Sequence, residues 1–214
     1  MLLAAGKGER LRPLTESVPK ALVEVAGVPL IERHLAALAD SGVKTVVVNL
    51  GWLGAKLAER LGGGDRFGLQ IIYSDEGDNI LETGGGIVRA LPFLGDEPFL
   101  VVNADIVTDI DFAVLNLPRD ADAHLVLVPR PVDRDSGDFG LEAGRVNNDA
   151  DFVFSGIAMY RPAFFTGCDV ERFSVAPMLR RGADDGRISG EVYEGLWADV
   201  GTPDRLERIS AQLR

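Results

Sequence analysis

The chain has 214 residues, 46% of them hydrophobic and 26% charged, the balance of an ordinary globular protein and a length that suits one domain over 1–214. Its 22 basic against 33 acidic residues leave a formal charge of −11, which speaks against a broad nucleic-acid surface. One cysteine, Cys168, excludes an internal disulfide or a cysteine metal cluster, and no apolar run approaches the roughly 18 residues of a membrane-spanning helix.

Met1-Leu2-Leu3-Ala4-Ala5 is too short for a signal-peptide core and runs into a charged loop, so a cytoplasmic location is expected. Leu2 to Ala5 reads as a short first strand. Pro29 to Ser41 has apolar residues near helical spacing and stops at Gly42; Val43 to Asn49 is β-branched and reads as a strand. Trp52 to Leu61 is a second helix, ended by three glycines, and Leu69 to Ser74 a third strand. A helix is expected from the glycine cluster after Leu81 through Ala90, followed by strands at Phe99–Asn103, Ala123–Val128 and Phe152–Tyr160. Residues 130 to 151, rich in Asp, Gly, Arg and Asn, read as a loop-rich excursion. Ser174 to Arg181 and Pro203 to Leu213 are the last helices. Alternation of this kind predicts an α/β fold with a mainly parallel sheet, helices on both faces, and ligands beyond the carboxyl ends of the strands.

Within this acidic chain the first twenty residues hold Lys7, Arg10, Arg12 and Lys20 against Glu9 and Glu16. That local positive charge suits a small anionic ligand. It flanks Gly6-Lys7-Gly8, where missing Cβ atoms let backbone N–H groups approach phosphate. A P-loop is excluded because no Gly-Lys-Ser/Thr occurs. A dinucleotide fingerprint fails at Leu11, where the third glycine belongs, and at Asn49, where an acid belongs. The pattern Gly6-x-Gly8-x-Arg10-x-x-Pro13-x-Thr15, then Pro19-Lys20-Ala21-Leu22, resembles the opening of the sugar-1-phosphate nucleotidyltransferases. The resemblance implies their three-layer, Rossmann-like α/β/α fold. It also implies that Ala4, Ala5, Gly6 and Gly8 lie along the nucleotide, with Arg10 and Lys20 on its phosphates. The residue types suit that work, since Arg offers a bidentate fork and Lys a point charge on a flexible stem.

Two apolar runs, Phe99 to Ala104 and Leu196 to Ala198, each end in an aspartate, Asp105 and Asp199. Aspartates at strand ends can cap or turn the chain, or hold a hard divalent cation by oxygen. The family carries an Asp at the end of a central strand and a later Trp-x-Asp-x-Gly-Thr. The resemblance therefore implies Mg²⁺ on Asp105 and Asp199. Asn103-Ala104 replaces the family's usual glycine before the first of them.

By the same resemblance, Glu82, Thr83 and Gly84 in Leu81-Glu82-Thr83-Gly84-Gly85-Gly86 contact the base, Glu76 lies near where relatives read its edge, and Asn103 also lines the nucleotide. Asp138-Phe139-Gly140-Leu141 and Phe154-Ser155-Gly156-Ile157 are similar to the sugar-lining segments, which nominates Gly140 and Ser155. The family's Glu-Lys-Pro segment is absent, leaving Arg145, Arg187 or another loop residue as the stand-in for its lysine. His34 and His124 have no nucleophile or metal-ligand partner at suitable spacing and read as structural.

The implied partners are a nucleoside triphosphate and a sugar 1-phosphate, with no nucleic acid or membrane; the sequence sets no oligomeric state. Among subfamilies, the compact length, the Gly-Lys-Gly-Glu-Arg opening and Phe-Ser-Gly-Ile look most like the N-acetylmuramate-1-phosphate uridylyltransferases of peptidoglycan recycling. Mannose- or heptose-1-phosphate guanylyltransfer, or a non-catalytic nucleotide-sugar sensor, are the alternative readings.

Overall fold

A computed structural model of the protein describes residues 1–77 and 79–214. Its main sheet runs Ile188–Val192, Ala123–Pro129, Arg145–Tyr160, Phe99–Asn103, Leu2–Leu3, Thr45–Leu50, Gln70–Asp75, with Phe139–Glu142 hydrogen-bonded alongside Arg145–Tyr160. The four strands from Phe99–Asn103 to Gln70–Asp75 are parallel, as are the two at the far edge. The long Arg145–Tyr160 strand lies antiparallel between these groups.

Successive side chains of a strand point to opposite faces, and here they enter two separate cores. Val47, Val101, Leu125, Leu127 and Ala158 pack on one side with Ile87, Val88 and Leu179, from helices Glu82–Leu94 and Ala176–Asp184. Their neighbours Val46, Val48, Val102, Val126 and Ile157 pack on the other with Ile31, Leu35 and Leu57, from helices Leu30–Asp40 and Gly54–Leu61. Three α/β/α layers result. A third cluster joins Leu11 of the glycine-rich loop to Val23, Val25, Val107 and Val200 and to Ile209 of helix Pro203–Gln212. That cluster ties both ends of the chain to the rim where the predicted site lies. Among the described residues no helix is long and apolar enough to cross a membrane.

The stretch 130–151 departs from the loop expectation. Phe139–Glu142 and the start of Arg145–Tyr160 form a hairpin whose two turn residues, Ala143 and Gly144, have φ of 49° and 77°. Positive φ at both turn positions matches the right-handed twist of a two-residue hairpin. Composition marked the turn but hid the strands, because their outward residues are polar.

His34 confirms its structural reading. It is 2% exposed and its Nε2 lies 2.9 Å from the Ile106 carbonyl, so the neutral ring donates from Nε2. Burial lowers its pKa to about 4, so the unfolded chain takes up this proton first as the pH drops. Its contribution is therefore whole above the unfolded value of about 6.5 and is lost as pH falls toward the folded one. Urea unfolding should show stability falling between pH 6 and 5, with His34 supplying about 1 kcal/mol of that fall. His34→Gln should flatten the slope by that amount; an unchanged slope would refute the assignment. His124, also lowered by burial, supplies the remaining histidine share.

Candidate active site

The glycine-rich loop is anchored from several sides. Ala4 N–H donates to Asn49 Oδ1 at 2.6 Å, Trp52 N–H donates to the Ala5 carbonyl at 3.2 Å, and Trp52 Nε1 donates to the Thr15 carbonyl at 2.9 Å. Thr15 Oγ1 in turn donates to the Gly8 carbonyl at 2.8 Å. Gly8 has φ 63°, and a Cβ there would lie 3.1 Å from Lys20 Cβ and 3.0 Å from Thr15 Cγ2. Glycine is therefore required twice over, by backbone conformation and by the Lys20 stem packed against it. The Pro-Lys motif and the glycine loop act as one unit.

Three contiguous hollows run from this loop. The outer cleft, about 860 Å³, is lined by Lys7, Gly8, Arg10, Lys20, Ile80, Arg172 and Gly201 among others. The middle hollow, about 180 Å³, has Ala4, Ala5, Gly6, Lys20, Asn49, Glu82, Thr83, Asn103 and Asp105 in its walls. An inner cavity of about 210 Å³ shares Leu3, Thr83 and Asn103 with it and continues to Phe139, Phe154 and Gly156.

Lys20 Nζ donates to Asp105 Oδ2, with the lysine side chain 13% and the aspartate 36% exposed. Arg12 pairs with Glu9 on the surface, whereas Lys7 and Arg10 make no ion pair among the described residues. The outer cleft thus presents Lys7 and Arg10 outside any ion pair among the described residues, beside Glu9, which pairs with Arg12, and such cations suit a polyphosphate. Arg10 Nη2 and Asp199 Oδ2 both approach Gly201, at 2.9 and 3.1 Å from where its Cβ would stand.

The two aspartates are far apart in sequence and adjacent in the fold. Trp197–Asp199 pairs antiparallel with Ile106–Thr108, setting Asp199 opposite Ile106, and Val200 N–H donates to the Asp105 carbonyl at 2.8 Å. Asp199 accepts from Arg205 Nη1 with both oxygens at 2.5 Å, and Arg205 is braced by Asp133 at 3.1 Å. Arg205, on helix Pro203–Gln212, escaped the sequence reading, since nothing local distinguishes it from a solvated helix residue. Asp105 lines the middle hollow, whereas Asp199 lines none of the three and faces a separate one with Asp133 and Arg205; both carboxylates have the hard-oxygen donor chemistry suited to Mg²⁺.

Several predicted residues have other work. Glu76 is 7% exposed; its carboxylate accepts from Asn49 Nδ2 at 2.6 Å and Leu81 N at 2.7 Å, so it braces the loop from behind and lines none of the three hollows. Gly84 is inside helix Glu82–Leu94, and its N–H donates to the Phe173 carbonyl at 2.9 Å. Thr83 Oγ1 accepts from Val175 N at 3.0 Å while lining the middle and inner hollows. Glu82, at φ 60°, pairs with Arg172 at 2.8 Å on the cleft wall.

The nominated Gly140 and Ser155 do not line the inner cavity, although their neighbours do. Ser155 is 1% exposed, donates to the Val126 carbonyl at 2.6 Å and accepts from Ile157 N at 3.1 Å. Its neighbours Phe154 and Gly156 line the inner cavity instead. Gly140 faces Asn147 and Asp149, whereas Phe139 lines the cavity. The strand period of two decides both cases, and its phase is not readable from the motif. Ser155→Ala should cost about 1–3 kcal/mol in urea unfolding by stranding the buried Ile157 N–H, with KM for the sugar phosphate little changed; a large KM effect without destabilisation would restore it to the site. Arg145 and Arg187 are engaged with Asp120 and with Asp122 and Asp185, and neither lines these hollows.

Known proteins share this arrangement of elements. Residues 1–143 match the family model described as nucleotidyl transferase. The chain is 45% identical to the N-acetylmuramate alpha-1-phosphate uridylyltransferase of Neisseria meningitidis serogroup B, over 99% of this chain and 96% of that one. It is 36% identical to the enzyme of the same name from Caulobacter vibrioides, over 100% of this chain and 96% of the relative. A Bacillus anthracis protein crystallised with a sucrose superposes with a TM-score of 0.87 over 100% of this chain and 94% of that one, at 19% identity.

Proposed function

Because the chain belongs to the nucleotidyl transferase family, we propose that it is a cytoplasmic uridylyltransferase that joins N-acetylmuramate 1-phosphate to the uridylyl group of UTP and releases pyrophosphate, in peptidoglycan recycling. The end-to-end likeness to enzymes named for that activity carries the reading.

In this reaction a phosphate oxygen of the sugar 1-phosphate bonds to the α-phosphorus of UTP while the bond to the bridging oxygen of pyrophosphate breaks. The nucleophile's second pKa is about 6, so it is anionic near neutrality and requires no general base. That accords with a cleft whose walls hold cations and carboxylates and no histidine. The residues' task is to orient two anions in line and offset their charge. Lys7 and Arg10 would meet the triphosphate, with the backbone of Ala4, Ala5, Gly6 and Gly8 beside it. Lys20 leaves Asp105 to meet phosphate, and Arg205 holds the Asp199 carboxylate in position. Asp105 and Asp199 would hold Mg²⁺, which when bound supplies charge neutralisation at the reacting phosphates. Thr83 and Asn103 line both the middle hollow and the inner cavity, the place where nucleotide and sugar would meet.

Pyrophosphate release should be measured for UTP, GTP, CTP and dTTP against N-acetylmuramate, mannose and other sugar 1-phosphates, with Mg²⁺. UTP with the muramate compound is the expected pair. A preference for GTP with mannose 1-phosphate would replace the substrate and keep the chemistry. Nucleotide binding without any turnover would point to a sensor.

A further inference from the structure

The inner cavity holds one cation that has no anionic partner among the described residues. Its walls include apolar Ile87, Val101 and Ala158, and its charged residues are Asp138 and Arg180. Asp138 is engaged elsewhere, because its Oδ2 accepts from Arg134 Nη1 at 3.2 Å and from Phe154 N at 3.0 Å. Arg180 lies on helix Ala176–Asp184, with its guanidinium 5.1 Å from the centre of the Phe139 ring. Its side chain reaches Asn148 Oδ1 at 3.4 Å, and among the described residues no carboxylate lies within 4.0 Å of it. Asn148 Nδ2 meanwhile donates to the Arg180 carbonyl at 3.0 Å and to Asp184 Oδ1 at 2.6 Å, which fixes the helix position from which the side chain extends. A guanidinium laid on an aromatic face keeps its edge N–H groups free for a bidentate acceptor.

We propose that Arg180 is the specificity-determining residue of this cavity and takes the carboxylate of an acidic sugar substituent; this rests on the uridylyltransferase reading. The chemistry favours a carboxylate over a neutral sugar group. Beside apolar walls a carboxylate gains from a charge-assisted partner, which the exposed Arg180 can supply. N-acetylmuramate differs from N-acetylglucosamine by a lactyl ether that carries such a carboxylate. The sugar's own 1-phosphate would lie toward Asn103, which the inner cavity shares with the middle hollow that Lys20 lines.

Titration calorimetry with UDP-N-acetylmuramate and UDP-N-acetylglucosamine separates the two groups, since both carry the diphosphate and only the first carries the carboxylate. The unaltered protein should bind the muramate compound more tightly. Arg180→Ala should weaken that binding roughly tenfold to a hundredfold and collapse the preference, as loss of a charge-assisted hydrogen bond predicts. Arg180→Lys should restore part of it. Arg180 is exposed, so the variants are expected to fold as the parent does. Equal weakening of both compounds would place Arg180 on phosphate and overturn the proposal, as would a preference that survives in Arg180→Ala. Tighter binding of GDP-mannose than of either uridine compound by the unaltered protein would overturn the uridylyltransferase reading and this inference together.

Discussion

Asp105→Asn is expected to lower turnover at least about a thousandfold while leaving the protein folded, the scale expected when a metal-holding carboxylate is lost from a phosphoryl-type site. The substitution preserves shape. The backbone carbonyl of Asp105 still accepts from Val200 N–H, so the join between the two aspartate segments survives. What disappears is the charge that meets Lys20 in the free protein and would meet Mg²⁺ in the loaded one. Because Asp105 is about a third exposed, its ion pair contributes little to stability, and leaving the more buried Lys20 unpaired should cost about 1 kcal/mol. Asp199→Asn should match it in turnover and leave Arg205 braced by Asp133 alone. Pyrophosphate release, the thermal midpoint and Mn²⁺ titration on the same preparations separate these effects. Retention of turnover within tenfold in either variant would remove that aspartate from the site.

The residues that were legible in the sequence are those whose chemistry is tied to local spacing. Arg10, Lys20 and Gly8 belong to one short motif, and the fold brings them together because Gly8 packs on the Lys20 stem. Asp105 follows an apolar strand, which puts it near the rim, but its assignment to a metal rests, like that of Asp199, on the family resemblance. Asp199 needed the Trp-x-Asp-x-Gly-Thr resemblance, since only the antiparallel pairing of Trp197–Asp199 with Ile106–Thr108 brings it beside Asp105. Glu76 and Ser155 illustrate the opposite limit. Their segments were found, but which face each side chain takes depends on long-range register and packing. Arg180 and Arg205 carry no local mark at all, and their importance comes from Phe139, Asp199 and Asp133, partners distant in sequence. The strand-helix alternation predicted the three layers. It did not reveal the antiparallel insertion of Arg145–Tyr160, whose order depends on hairpin geometry.

Gly85→Ala tests the least intuitive part of the architecture. Local propensity predicts stabilisation, because alanine in a helix interior is favoured over glycine by about 1 kcal/mol. The packing predicts the reverse. A Cβ on Gly85 would overlap the Glu171 carbonyl oxygen and lie 2.9 Å from Leu81 Cβ. The obstruction is backbone and cannot rotate away. The 171–173 segment is also bound where it lies: Gly84 and Gly85 N–H donate to the Phe173 carbonyl at 2.9 and 3.2 Å, and Phe173 N–H donates to Leu81 at 3.1 Å. Forcing it outward strains or breaks these bonds. The expected net loss is about 2–4 kcal/mol, a fall in thermal midpoint of roughly 5–15 °C for a chain of this size. Gly84→Ala should be milder, since its Cβ would meet the Phe173 ring, a side chain rather than backbone. The displacement should also reach the cleft, because Arg172 lines it and pairs with Glu82 at 2.8 Å. KM for the nucleoside triphosphate should therefore rise in Gly85→Ala even at temperatures where the variant is fully folded. A neutral or stabilised Gly85→Ala would mean that the helix and the 171–173 segment are not in contact, and that the three glycines serve the nucleotide directly.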